Sequence, residues 1–482
     1  MNTQFLPVSK ADMRARGWED CDFLIITGDA YVDHPSFGPA IISRVLEAEG
    51  YRVAVLAQPD WKDPAAFTAL GRPRLGVMVS GGNIDSMVAH YTVAKKRRRD
   101  DAYSPGNQPG LRPDRATIVY ANMVRRVFGN IPLIIGGLEA SLRRFAHYDY
   151  WEDKVRRSIL FDSQADLLVY GMGETASRAI AARLASGTPV DQITDVRGTC
   201  FAGRHPGQCA YPMVEVPSFE AVCADKRAYA QANQVEYEEH DAVRGKAILQ
   251  KHGDRLLIAN PPAMPLTTAE LDAVFELPYV GEPHPMYDAM GGVPAIEEVR
   301  FSIIHNRGCF GACNFCSLAF HQGRTISARS HESVLREAER LVKHPGFKGY
   351  IHDVGGPTAN FRHPSCQKQL KAGMCRNRAC LSPRACPNLD ADETDYLKLQ
   401  VDHTEYLELL RKVRTLPKVK KVFIRSGIRF DYLMQDRDGE FFAELVKYHV
   451  SGQLKVAPEH CVKGVLDYMG KPHVEVYEKF RQ

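Results

Sequence analysis

The sequence predicts an α/β protein whose first half forms a parallel sheet covered by helices on both faces. Short, continuous apolar runs alternate with stretches of helical periodicity, the pattern of strands buried on both sides. Several of these runs end in glycine, which makes tight strand-to-helix turns and lets a backbone approach a ligand at the carboxyl edge of a sheet. A dense group of cysteines after residue 300 places the chemistry in the second half.

The first predicted strand is 23–27 (FLIIT), ending at Gly28-Asp29. A helix over 38–49 follows, with Ile41, Ile42, Val45 and Leu46 on one face and Gly50 as its stop. Further strands are predicted at 52–56, at 75–79 before Ser80-Gly81-Gly82, at 132–135 before Gly136-Gly137, and at 167–170 before Gly171-Met172-Gly173-Glu174. The basic run Lys95-Lys96-Arg97-Arg98-Arg99 and the Pro- and Gly-rich 104–110 after it read as a solvated, mobile loop, with a phosphate-bearing or nucleic-acid partner as the alternative. Arg143, Arg144 and His147–Trp151 mix cations with aromatics, a combination suited to stacking or to internal packing. Residues 201–295 hold a polar helical stretch and repeated proline clusters, and read as an extended linker.

Composition sets the class. The chain has 482 residues, 44% hydrophobic and 25% charged, which excludes disordered, collagen-like and purely coiled-coil chains. The formal balance of +4 is too small to argue for nucleic acid by itself. The first residues lack the apolar core of a secretion signal and no run of 18 apolar residues occurs, so a cytoplasmic protein with no membrane span is expected.

Seven of the twelve cysteines fall between 309 and 386. In a reducing compartment such clustering points to metal or redox chemistry rather than disulfides. A strand predicted at 300–304 runs into a glycine-containing loop with Cys309, Cys313 and Cys316 in a C-x-x-x-C-x-x-C spacing. Three soft thiolates this close suit an iron–sulfur cluster with one iron left open, whereas structural zinc favours paired C-x-x-C knuckles and four ligands. Cys366, Cys375, Cys380 and Cys386 form a second group in a segment of little periodicity, suited to zinc or an auxiliary iron–sulfur cluster.

The spacing, with an aromatic residue before the third cysteine, resembles the radical S-adenosylmethionine (SAM) superfamily. The stretch RGCFGACNFCSLAFHQGRTISARS, together with DAYVDHPSFG and HDVGGPTANFRHPSC, looks closest to the YgiQ family. The resemblance implies a Rossmann-like, cobalamin-binding-like domain over 1–200, the linker over 201–295, and a partial (β/α) barrel over 296–482 with a Cys-rich insertion at 360–390. Cys309, Cys313 and Cys316 would hold a [4Fe–4S] cluster whose open iron takes SAM, and a one-electron donor such as a flavodoxin or ferredoxin would serve it. Phe315 would lie against adenine. Gly355, Gly356 and Pro357 fall at the SAM amino-group motif, with proline in place of the family's acidic residue. Arg425, Ser426 and Glu459 would stand at carboxyl ends of barrel strands, where such a fold places its working residues.

Strands at 347–352, 421–425 and 453–457 and helices at 331–343, capped by Ser330, and 402–414 fit that barrel. Only four of six barrel strands are counted, so the barrel is expected to be truncated. Asp33-His34-Pro35-Ser36-Phe37-Gly38 misses the cobalt-ligating D-x-H-x-x-G spacing, so bound cobalamin is not expected. A second reading is a metal-stabilised binding module, with RNA as a candidate partner and a purely structural cluster.

Overall fold

Strand β1 (Phe23–Thr27) is apolar at nearly every position, and all five of its residues are buried. Only a strand flanked by strands and covered on both faces buries every side chain, so β1 must be central. In the computed structural model, which describes residues 4–376, 379–386, 401–436 and 439–482, it pairs in parallel with β2 (Val53–Ala57) on one side and β3 (Gly76–Ser80) on the other. The registers set Ile25 beside Val55 and Met78. Strands β4 (Leu133–Gly136) and β5 (Leu167–Val169) continue the parallel order β2-β1-β3-β4-β5. This is a doubly wound Rossmann-like arrangement whose switch point lies between β1 and β3.

Four more strands extend the sheet: β6 (Thr199–Gly203), β7 (Met213–Val216), β8 (Ala247–His252) and β9 (Arg255–Ala259), giving the order β5-β6-β9-β8-β7 beyond β5. The linker expected over 201–295 is corrected here. Its apolar pieces are too short to show helical periodicity, yet β6 and β9 bury their side chains by pairing antiparallel to their neighbours. Strands β8 and β9 form a hairpin around Gly253-Asp254, with His252 opposite Arg255.

The basic run follows a defined backbone path. Tyr91 bridges Arg97 as an antiparallel pair, and the amide of Arg98 donates to the His90 carbonyl at 2.7 Å. Lys95–Arg99 is the return arm of a short, solvent-exposed hairpin.

By internal contacts the chain divides into two compact units. The first comprises Met1–His240, Gly245–Ala263 and Leu277–Ile296, and holds the nine-stranded sheet. At the carboxyl end of β1, Asp29 and Asp101 share buried Arg112, whose guanidinium lies 2.6 Å from Asp29 and 2.8 Å from Asp101. Burial raises the Asp29 carboxyl while Arg112 pulls it down.

The second unit comprises Asp241–Arg244, Met264–Glu276 and Glu297–Gln482. It is a partial (β/α) barrel. Strand β10 (Ser302–Ile304) pairs in parallel with β12 (Asp353–Gly355), and β11 (Tyr350–Ile351) pairs in parallel with β13 (Lys421–Val422). The helix His331–Leu341 is capped by Ser330, whose hydroxyl accepts from the Ser333 amide. It and the helix Thr404–Arg414 pack Val334, Ala338, Leu407 and Leu410 against Ile303, Ile351 and Val422. The strand expected at 453–457 is absent: the segment makes no ladder, and Gln453, Lys455 and Ala457 are exposed. Residues 377–378 and 387–390 of the Cys-rich insertion lie outside the described residues. No helix among the described residues is long and apolar enough to cross a membrane.

One pH dependence follows from β8. His252 is buried between Phe161 and Phe219, and burial lowers its pKa from 6.5 to about 4. The folded chain holds it neutral while the unfolded chain protonates it near 6.5, so its contribution is complete above pH 6.5 and is lost as the pH falls toward 4. Between pH 6.5 and 5 the first unit should lose about 2 kcal/mol through this group, read as a falling urea midpoint. His252→Phe should flatten that slope, and an unchanged slope would refute the assignment.

Candidate functional site

The thiol loop begins where β10 ends. Gly308 turns the chain there with φ +84°, and an added Cβ would lie 2.1 Å from the Thr325 carbonyl, so no other residue fits without rearrangement. The Cys309 amide donates to the Gly323 carbonyl at 3.0 Å, and the Asn314 amide donates to the Met469 carbonyl at 2.9 Å. These bonds fix both arms of the loop. Beneath it, Phe310 stacks on Phe361 with ring centroids 3.8 Å apart, and Tyr432 meets both rings edge-on. This apolar floor also receives Cys309, Cys380 and Cys386.

Two polar side chains face the thiols. The Thr358 hydroxyl lies 3.3 Å from Cys309 Sγ. Arg429 Nη1 donates to Cys313 Sγ at 3.4 Å, while its Nε and Nη2 donate to the two carboxylate oxygens of Asp431 at 2.8 and 2.6 Å. Arg429 is buried, and its backbone is held from both sides by Asn360: the Arg429 amide donates to Asn360 Oδ1, and Asn360 Nδ2 donates to the Arg429 carbonyl. Gly311 allows this approach, since a Cβ there would stand 2.4 Å from Arg429 Nη1.

Burial pushes the Cys309 thiol up, opposed by the bond to Thr358, a backbone bond at Gly311 and the charge of Arg429. Burial works against the Arg429 charge, but Asp431 and the thiols of Cys313 and Cys309 hold its pKa above the ordinary value. Cys316 starts the helix Ser317–Gln322, and its amide donates to the Cys313 carbonyl at 3.1 Å.

The Gly355-Gly356-Pro357 turn follows β12. Asn306, fully buried just before the thiol loop, donates through Nδ2 to the carbonyls of Thr358 and Phe361 and so ties that turn to the loop. Ser426 lies beside it: its hydroxyl and amide, and the Arg425 amide, all donate to the Asp353 carboxylate. Burial raises the Asp353 carboxyl, against those bonds.

Other predicted residues do not converge. Arg425 is exposed, with Nη1 3.9 Å from Glu298. Glu459 is exposed, has φ +68° and accepts from Lys471 at 3.4 Å. Phe315 is 55% exposed. In the second cysteine group, burial pushes Cys380 up to about 11, aided by the charges of Cys366, Cys386 and Cys375. Asp33 and His34 act within the first unit: Asp33 accepts from buried Arg44, and His34 Nδ1 accepts from the Ser36 amide at 3.1 Å. Arg429, Thr358 and Asn306 are the residues sequence reasoning missed. The sole hint was that Arg429 lies four residues past Arg425, at the end of a predicted strand.

The cofactor expectations need correction. Among the described residues, no group of three or more His, Cys, Asp or Glu side chains is arranged to hold a metal ion. Two of the thiols have hydrogen-bond partners, Cys309 with Thr358 and Cys313 with Arg429. A solved structure to which the chain is similar, a radical SAM methyltransferase from Kitasatospora setae (TsrM), is described with cobalamin and a [4Fe–4S] cluster bound. That match has a TM-score of 0.47 and 14% identity, covering 95% of this chain and 63% of the other. The same enzyme with tryptophan and a SAM analogue bound matches at TM-score 0.48, and this chain spans 64% of its length.

Sequence comparison gives the closer relationships. A family profile described as Radical SAM N-terminal matches residues 5–302. A UPF0313 protein of Clostridium botulinum (strain ATCC 19397 / Type A) is 55% identical over 479 residues, covering 99% of this chain and 73% of its own length. Another, from Clostridium perfringens (strain 13 / Type A), is 54% identical over 479 residues and is covered over 71% of its length. The chain belongs to the UPF0313 family, within the radical SAM superfamily.

Proposed function

We propose that this chain carries the radical SAM chemistry its YgiQ-like motif implies: reductive cleavage of S-adenosylmethionine, then abstraction of a hydrogen atom from a substrate. The observation that carries the reading is the loop of Cys309, Cys313 and Cys316 at the end of β10, with a buried cation donating to one of its thiols. The donor chemistry fits an iron–sulfur cluster, because soft thiolates are its natural ligands and Arg429 lowers the cost of gathering their negative charge. Bound through those thiols, such a cluster would supply the single electron that splits SAM into methionine and a 5′-deoxyadenosyl radical.

The chain's own residues prepare the place. Thr358 orients the Cys309 thiol, and Arg429, fixed by Asp431 and Asn360, holds charge against Cys313. Phe310, Phe361 and Tyr432 keep water from the loop's inner side. Gly355, Gly356 and Pro357 form the edge assigned to the SAM amino and carboxylate groups, with Asp353 and Ser426 beside it, and Phe315 is the ring assigned to adenine. An external one-electron donor, a flavodoxin or ferredoxin, completes the cycle.

Anaerobic reconstitution with iron and sulfide, followed by SAM and a strong reductant, should yield 5′-deoxyadenosine detectable by mass spectrometry. Cys309→Ala should abolish it, and equal yield from that variant would refute the assignment. Arg429 gives a second test. Arg429→Met strands Asp431 as a buried, unpaired carboxylate and should cost the second unit about 3–5 kcal/mol in urea unfolding. Arg429→Lys keeps a charge but loses the fork that reaches Asp431 and Cys313 together, so it should retain iron better than Arg429→Met after desalting. Wild-type stability and iron content in both variants would contradict the role given to Arg429.

A further inference from the structure

The thiol loop leaves one motif of the sequence unused, the basic run of the first unit. We propose that the hairpin arm Lys95–Arg99, with the tyrosines beside it, is a binding surface for a single-stranded polynucleotide.

The arm is ordered. The Thr92 amide donates to the Lys96 carbonyl and the Lys95 amide to the Thr92 carbonyl, both at 2.9 Å, and Tyr91 bridges Arg97. Five adjacent cations repel one another, and a solvated tail would spread them out. Here the backbone holds them side by side. Among the described residues, Arg97 is the only one of the five with a carboxylate partner, Asp114 at 3.9 Å. All five are exposed.

The arm lies along a row of rings. Trp151 sits 5.4 Å from Tyr91 and 5.3 Å from Tyr150, centroid to centroid. Alternate residues of the arm meet the ends of this row: Lys95 Nζ is 4.8 Å from the Tyr150 ring, and the Arg97 guanidinium is 5.5 Å from Tyr91. Tyr148 and Tyr150, two residues apart, are 48% and 45% exposed. Exposed rings beside exposed cations match what a single strand offers, unstacked base faces next to backbone phosphates. A duplex hides its base faces, and a simple polyanion has none.

Fluorescence anisotropy on the full chain tests this. The probes are a labelled mixed-sequence 20-nucleotide RNA, the same sequence as DNA, the RNA duplex, and heparin as competitor, at 50–200 mM salt. Single strands should bind at least tenfold more tightly than the duplex, with the RNA and DNA arms showing which sugar is preferred. The slope of log affinity against log salt should be about −2 to −3.5, the value for three to five neutralised phosphates. Lys96→Glu with Arg99→Glu should weaken binding at least tenfold and flatten that slope. Tyr148→Ala with Tyr150→Ala should weaken single-strand binding while leaving heparin binding unchanged. Because both pairs are exposed, far-UV circular dichroism should match the parent. Equal affinity for heparin and single strands, or capture by phosphatidylserine vesicles without single-strand binding, would overturn the proposal.

Discussion

The second unit turns on one buried guanidinium. Arg429 spends two of its nitrogens on Asp431 and a third on Cys313, so the charge of the thiol loop is tied to an element more than a hundred residues away in sequence. A buried cation is tolerable only with compensating negative charge and satisfied donors. Asp431 supplies the charge outright, and the thiols add to it when they ionise. Asn360 then fixes where the guanidinium points by bonding both sides of the Arg429 backbone. The loop is thus held open on a charged, hydrogen-bonded frame, over the aromatic floor of Phe310, Phe361 and Tyr432.

The first unit is organised by a different demand. Its five parallel strands are covered on both faces, and the polar ends of those strands must still be satisfied. At β1 this is done by Arg112 between Asp29 and Asp101, and near the start of the helix Gly38–Ala48 by Arg44 with Asp33. Both arginines are almost fully buried. The switch point between β1 and β3 is therefore lined by internal ion pairs. Strands β6 to β9 extend the sheet beyond β5.

Much of this was legible. The parallel strands announced themselves because a central strand needs an unbroken apolar run, and 23–27, 75–79, 132–135 and 167–170 all supply one. The thiol loop was legible because C-x-x-x-C-x-x-C has few other uses. The segment 201–295 was misread because strands of four to six residues have too little length for periodicity, and the surrounding prolines suggested a linker. The Gly253-Asp254 turn between 247–252 and 255–259 was the one local hairpin signal in it. Arg429 and Thr358 were invisible for another reason: their partners are set by tertiary contact, and no spacing in the sequence brings Arg429 to Cys313. Arg425 and Glu459 looked equally suited as charged residues at expected strand ends. The ladder at 453–457 did not form, so Glu459 stands on an exposed, left-handed turn.

The central claim is that the chemistry sits on the loop of Cys309, Cys313 and Cys316. The most direct measurement is the low-temperature electron paramagnetic resonance spectrum of the reconstituted, reduced chain, with and without SAM, for the parent and for a chain with all three cysteines replaced by alanine. The account predicts a signal in the parent that SAM perturbs, and its loss in the triple variant. A SAM-responsive signal that survives the triple replacement would contradict it.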